Sequence, residues 1–138
     1  FQIFGGGGGV LSRTSELAKE SATEVYQYED FGTDIGDPVI DQVDDIVIDV
    51  DSIVYIDARC NSCLAGGTDV GTWTPFVGGD DGYPVTTDDG TTIVNFPVAV
   101  QSFLVSPGTY DIGMRADSSG ATNMSVNDVF FTVTVVKR

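Results

Sequence analysis

The sequence predicts an all-β fold, an antiparallel β-sandwich or jelly roll of about eight strands. Residues 109–117 and 128–136 alternate apolar and polar side chains with a period of two. This period is typical of a strand with one face on a core and one face in water. Residues 96–105 are apolar on both faces, as in a more buried strand. Residues 106–108, Ser-Pro-Gly, favour a turn between this segment and the strand that follows.

The same alternation occurs upstream, in residues 45–60. Most apolar side chains occupy even-numbered positions, and most aspartates occupy odd-numbered positions. Asp51-Ser52 favours a turn that divides the segment into two strands. Ten alternating residues are expected in the core. They are Ile46, Ile48, Val54, Ile56, Tyr110, Ile112, Met114, Val129, Phe131 and Val133.

The rest of the central chain favours short strands separated by turns. Residues 24–31 and 72–77 predict strands, and Asp88-Asp89-Gly90 predicts a hairpin turn because it lies between β-prone segments. The Gly and Pro residues of segment 32–43, and the glycines of segment 61–70, favour loops.

The N-terminal residues 1–23 are predicted to lie apart from a sandwich domain of residues 24–138. An apolar tip is followed by a tether of five glycines, residues 5–9. The tip consists of Phe1, Ile3 and Phe4. We expect it to act as an arm that contacts a neighbouring subunit, unless it is a linker from an upstream domain. Residues 10–22 favour one short helix, capped by Ser12.

The charge of the chain restricts its partners. Its 138 residues fit one domain, and they carry a net charge of −15 with seventeen Asp and only two Lys. Phosphate would be repelled, so neither nucleic acid nor an anionic membrane surface is an expected partner. Such a surface suits a protein from a saline or marine setting, or an acidic virion or secreted domain.

The composition also argues against an enzyme. The chain has no histidine, which excludes Ser–His and Cys–His catalysis within one chain and removes the commonest zinc ligand. Two carboxylates can hydrolyse a glycosidic bond, but acids are so frequent here that no pair is singled out. We expect no catalytic residue and no cofactor.

Cys60 and Cys63, the two cysteines of the chain, leave several interpretations open. A zinc site would need a second pair from another subunit. A redox dithiol is expected at a helix start, whereas this pair follows a predicted strand. A local disulfide would need a tight turn at Asn61-Ser62. The local disulfide, or a buried Cys60 with Cys63 free, is favoured over any catalytic role.

Two ligand sites are weaker predictions. Acidic loops supply oxygens of the kind that calcium binds, but the pattern favours solvated turns. These loops contain Asp44 and Asp45, Asp80 and Asp81, and Asp88 and Asp89. A carbohydrate site would use aromatic side chains in loops. The aromatic candidates are Trp73, Phe76 and Tyr83.

One segment resembles a known family. Residues 103–116, with Pro107-Gly108-Thr109-Tyr110 at a strand start, resemble the penultimate strands of a virion surface domain of tailed viruses of bacteria and archaea. The following small-residue loop, residues 118–122, and a terminal strand match the same pattern. The resemblance extends over residues 24–138 and implies a jelly roll similar to the complement-component and tumour-necrosis-factor class.

The resemblance implies a structural role on the virion surface. The protein would be a capsid-decoration, cement or fibre-type subunit, a homotrimer that binds neighbouring virion subunits. Apolar outer faces, such as Ile53 with Tyr55 and Phe130 with Val136, would serve in self-association. Two alternatives remain at this point: a subunit of an extracellular filament joined by exchange of the N-terminal arm, and a carbohydrate-binding module.

Overall fold

The computed structural model of the chain describes residues 3–5, 12–19, 23–65, 70–86, 92–120 and 123–138. These residues contain no helix, and hence none that is long and apolar enough to span a membrane. They form eleven β-strands. The strands are β1 (Ile3–Gly5), β2 (Ser12–Lys19), β3 (Thr23–Gly36), β4 (Val39–Ile48), β5 (Ser52–Ala65), β6 (Gly71–Val77), β7 (Asp80–Asp81), β8 (Val85–Thr86), β9 (Thr92–Val105), β10 (Gly108–Ser118) and β11 (Met124–Lys137).

The strands form two antiparallel sheets. The six-stranded sheet has the order β1-β2-β3-β11-β5-β9, and the five-stranded sheet has the order β4-β10-β6-β7, with β8 also paired to β6. Strand β11 pairs along most of its length with β3 on one side and β5 on the other. The predicted all-β antiparallel sandwich is confirmed, and the strand count exceeds eight because three of the strands have only two or three residues.

The core lies between the inner faces of the two sheets. Nine of the ten predicted core residues are at most 3% exposed, and the tenth, Tyr110, is partly buried against them. Trp73 from β6 also belongs to this core and is fully buried. Strict alternation along the strands therefore predicted the inner faces correctly, because each paired strand has one face available for packing.

Tyr110 explains the Pro-Gly-x-Tyr pattern at the start of β10. Its hydroxyl donates a hydrogen bond to the main-chain oxygen of Ser106 over 2.8 Å, so the ring closes the β9–β10 turn. This is the arrangement of a tyrosine corner, which fixes a chain reversal at a sandwich edge. A Cβ on Gly108 would lie 3.0 Å from the Tyr110 ring, so glycine leaves room for the ring at this turn.

The predicted helix in residues 10–22 is wrong. Ser12–Lys19 is strand β2, which pairs with β3 through Lys19↔Glu24 and Ser12↔Asp30. Serine and threonine are weak helix formers, and pairing with a long neighbouring strand satisfies the backbone instead.

The described residues of the two predicted loops are also largely strand, whereas residues 66–69 lie outside the described residues. Segment 32–43 contains the end of β3 and the start of β4, joined by a short turn at Asp37-Pro38. Its Gly32 lies where β3 has one residue more than β11, so this glycine accompanies a bulge within a strand. Strand β5 continues to Ala65, past the point where segment 61–70 was expected to be a loop. The predicted Asp-Asp-Gly hairpin lies outside the described residues.

The N-terminal segment is not separate from the sandwich. Because β2 is part of the six-stranded sheet, the division between residues 1–23 and 24–138 does not mark a boundary in the described fold. Ile3 and Phe4 pair through their backbone with Ser15 and Thr14 of the same chain. The predicted contact of the arm with a neighbouring subunit stays a prediction. Phe1 lies outside the described residues.

Gly113 generates a prediction about this fold. A Cβ at this position would collide with the main-chain oxygen of Asp41 and lie 2.6 Å from the Cα of Gln42. We expect Gly113→Ala to lower the free energy of unfolding by about 1–3 kcal/mol, since the backbone of β4 must move to accept a methyl group. Urea denaturation measures the change.

Gly79→Ala is the matched control for this substitution. A Cβ on Gly79 would meet nothing within 4 Å, so its effect should stay within about 0.5 kcal/mol. Equal effects of the two substitutions would contradict the steric explanation.

Candidate functional site

Three aspartates meet at the inner face of the sandwich, near the turn that joins β3 and β4. They are Asp30 and Asp34 on β3 and Asp41 on β4, and one carboxylate oxygen of each lies within 4.8 Å of the others. We refer to these three residues as the acidic cluster. Since β3 belongs to the six-stranded sheet and β4 to the five-stranded sheet, the cluster joins the two sheets.

Strand register explains why β3 directs two acids inward. Asp30 pairs with Val129 and Asp34 pairs with Val126, and both valines are buried in the core. Between these pairs β3 contains one residue more than β11, where Asp128 has a φ of 49°. Directly paired residues share a face, so both acids face the interior.

Asp41 is the most buried member of the cluster. It alternates with Val39 and Val43 on the inward face of β4 and is only 1% exposed. The Tyr28 hydroxyl donates a hydrogen bond to its Oδ1 over 2.8 Å. Its Oδ2 is buried and has no hydrogen-bond partner, a state that is costly for a carboxylate oxygen.

The surroundings of the cluster hold these groups in place. The ring of Tyr28 stacks on that of Phe131, with 4.7 Å between the ring centroids. The Gly32 amide donates a hydrogen bond to Asp30 Oδ1 over 2.9 Å. Asp30 is 8% exposed and Asp34 is half-buried, so water reaches the cluster mainly from the Asp34 side.

Burial and mutual repulsion change the acidity of the cluster. Burial raises the pKa of Asp41 to about 7, and the hydrogen bond from Tyr28 opposes this rise. The charges of Asp30 and Asp34 and a hydrogen bond shared with Asp30 act in the same direction as burial. A hydrogen bond shared with Asp30, burial and the charge of Asp30 raise the pKa of Asp34 to about 6. The cluster therefore resists full ionisation unless a positive charge enters it.

The ion pairs of the described basic side chains are formed elsewhere. Arg115 binds Asp81 over 2.9 Å and Asp117 over 3.0 Å on the five-stranded sheet. Lys137 lies 3.3 Å from Asp49 and 3.7 Å from Glu24. None of these pairs involves the acidic cluster.

The chemistry of the cluster is that of a binding site for a cation or for protons. Three carboxylates supply hard, negatively charged oxygens, the ligands that calcium and magnesium prefer. One feature of the sequence indicated the cluster. Asp41 occupies an alternating position whose neighbours in the same series, Val39 and Val43, are apolar. That signal was missed because this segment was predicted to be a loop.

The acidic loops predicted for calcium do not form comparable clusters in the described part of the chain. Asp44 and Asp45 are exposed on β4, and the Asp45 amide donates a hydrogen bond to Asp111. Asp80 is exposed on β7, and the neighbouring Asp81 is engaged by Arg115. Asp88 and Asp89 lie outside the described residues.

The three aromatic candidates for a carbohydrate site do not share an exposed surface. Trp73 and Phe76 lie on β6 rather than in loops and are 0% and 6% exposed. Tyr83, in contrast, is 82% exposed in the segment between β7 and β8. Two of the three are therefore inaccessible to a sugar ring.

Cys60 is fully buried and disulfide-bonded, and Cys63 is the other cysteine of the chain. Both lie within β5, so the backbone has no turn at Asn61-Ser62, which was expected for a local disulfide. The side chain of Cys63 is outside the described set.

No family model, curated protein or solved structure matches this chain. Inferences about function therefore depend on the sequence and the geometry of the chain itself.

The acidic cluster predicts an unusual response of stability to pH. The folded chain keeps a proton on Asp41 up to about pH 7, whereas the ordinary pKa is 3.8. The stabilisation from this group is thus fully present below its ordinary pKa and is lost as pH rises through about 7. We expect the Tm, measured in buffer with a chelator, to decrease from about pH 5 to about pH 8. The decrease should be larger for the parent protein than for Asp41→Asn. Identical pH profiles of the two proteins would contradict the raised pKa.

The cysteines generate a second prediction. Replacing Cys60 and Cys63 together by serine should leave the fold and any oligomer intact, because closing a loop this short contributes only about 2 kcal/mol. Circular dichroism and size-exclusion chromatography check the outcome. Loss of an oligomer would instead indicate a metal or a disulfide shared between subunits.

Proposed function

We propose that the protein is a structural subunit that self-associates through the outer face of its six-stranded sheet, on the surface of a virion. The observation that carries this proposal is an uncharged, partly apolar patch on that face. The patch has two rows of residues, each crossing β9, β5, β11 and β3 in register, and we call it the assembly patch. Its rows are Leu104, Ile53, Val136 and Thr23, and Ser102, Tyr55, Thr134 and Val25.

Strand alternation places both rows outside the core. Val54, Val105 and Val135 are the sequence neighbours of the first row, and all three are buried between the sheets. Leu104 is 76% exposed and Tyr55 is 43% exposed. A large apolar side chain with this exposure supports burial against another protein surface.

The charge distribution supports a second copy of the same chain as the partner. The net charge is −15, yet none of the eight residues in the assembly patch is charged. Along β5 the patch ends at Asp57 and Arg59, which are exposed on the same face. Uncharged residues surrounded by charged ones are typical of protein interfaces. Two copies that meet at this patch keep most of their carboxylates apart.

The virion setting and the trimeric state come from the resemblance of residues 103–116 to tailed-virus surface domains. The acidic surface suits that setting, because repulsion keeps crowded particles from aggregating. Genes for capsid, portal or tail proteins beside the gene for this protein would support the setting. Neighbours of another kind would favour an extracellular assembly instead.

The filament and carbohydrate alternatives have less support. Exchange of the N-terminal arm would first have to break the pairing of β1 with β2 in the same chain. An aromatic sugar site would require Trp73 and Phe76 to leave the interior.

Substitution within the assembly patch tests self-association. The double variant Tyr55→Lys and Leu104→Lys adds two positive charges where the copies would meet and should dissociate the oligomer to monomers. The expected change is at least about a hundred-fold in the dissociation constant, as for loss of interface anchors. Sedimentation equilibrium and light scattering over a range of concentrations measure it.

Val47→Lys is the matched control. Val47 is 63% exposed on β4, in the other sheet, so this variant places one lysine at an exposed apolar position outside the patch. Its oligomeric state should equal that of the parent protein. A monomeric parent protein at high concentration, or an oligomer that survives in the double variant, would refute the proposed interface.

A further inference from the structure

We infer that Asp30, Asp34 and Asp41 form a calcium site that links the two sheets. This inference is independent of the proposed self-association, because the cluster lies on the inner face of the sandwich and the assembly patch lies on the outer face. No sequence motif marks the site, because its ligands come from two strands that are brought together by the β3–β4 turn.

The first support is the geometry of the oxygens. Calcium–oxygen distances are about 2.3–2.6 Å, so two ligands of one ion lie at most about 5 Å apart. One oxygen from each aspartate lies within 4.8 Å of the others. A single ion can therefore contact all three carboxylates without a change in strand pairing.

The second support is the buried oxygen of Asp41. Its Oδ1 accepts the Tyr28 hydrogen bond, whereas its Oδ2 is without a partner in a residue that is 1% exposed. Buried charges in proteins are normally paired or bound to a metal. An ion at the cluster would supply the contact that this oxygen lacks.

The third support is the balance of charge. Ionised, the three carboxylates carry a charge of −3, and the described ion pairs of Arg115 and Lys137 engage other acids. A divalent ion would reduce the charge to −1. The half-buried Asp34 leaves a path for the ion and for the water molecules that complete its coordination.

Calcium suits this site better than magnesium. Calcium accepts irregular sets of six to eight oxygens and gives up its water readily, whereas magnesium demands near-ideal octahedral geometry and retains several waters. A cluster fixed by two β-strands, with Tyr28 and Gly32 already holding two of its carboxylates, offers an irregular and mostly buried set.

Calorimetric titration of the chelator-treated full chain with CaCl₂ at neutral pH is the primary test. We expect one ion per chain and a rise in Tm of about 5 °C or more in saturating calcium. Asp34→Asn and Asp41→Asn should each weaken binding by more than about ten-fold, because each removes a charged ligand. Asp34 is the less buried of the two, so its variant is the more certain to fold.

Asp80→Asn is the matched control, since it removes one negative charge from an exposed aspartate on β7. It should bind calcium as the parent protein does. The inference is overturned if the parent protein binds no calcium, if folded Asp34→Asn binds it unchanged, or if magnesium raises the Tm as much as calcium does.

Terbium luminescence locates the ion. Tb³⁺ replaces Ca²⁺ in oxygen sites and emits when a nearby aromatic ring is excited. Tyr28 donates to a proposed ligand over 2.8 Å, so TbCl₃ should give sensitised emission that falls several-fold in Tyr28→Phe and that CaCl₂ displaces. Emission unaffected by Tyr28→Phe would place the ion elsewhere and refute the site.

Discussion

Contact between the inner faces of two sheets is the interaction on which the rest of this structure depends. Described side chains of β3, β4, β5, β9, β10 and β11 contribute to one apolar layer. Strand β11, paired on both sides, is at the centre of the larger sheet. Burial of such a layer is the main force that stabilises a sandwich. A polar group that enters it must find a partner there, which is why three carboxylates at one end of the layer demand a chemical explanation.

Strand alternation gives the six-stranded sheet an inner face that forms the core and an outer face that is available to partners. Alternate residues of β5 and β11 face the core, and the residues between them, such as Tyr55 and Val136, form the outer face. The acidic cluster lies at the end where β3 turns into β4, whereas the assembly patch lies towards the opposite ends of β3, β5 and β11. An ion that binds at the cluster can thus stabilise the fold without blocking a partner at the patch.

The sequence predicted those features of the structure that depend on local patterns, and it missed those that depend on pairing between strands. Alternation is local, and it identified the core residues of β4, β5, β10 and β11. The failures came where pairing with a neighbouring strand, and not the composition of the segment, decided the outcome: β2 is a strand because it pairs with β3. The acidic cluster likewise requires Asp34 and Asp41 to approach across a chain reversal. The one indication in the sequence was that Asp41 alternates with the apolar residues Val39 and Val43.

Strand β4 forms one edge of the five-stranded sheet, and among the described strands it is paired only with β10. An open edge invites another chain to add a strand, and proteins counter this with bulges and with charge. Strand β4 has both, since the register shifts opposite Asp111 and Asp45 adopts a φ of 56° beside the exposed Asp44. Stacking of sheets edge to edge is thereby discouraged at β4. Any association of this sheet with another chain is then expected to use its faces rather than the β4 edge.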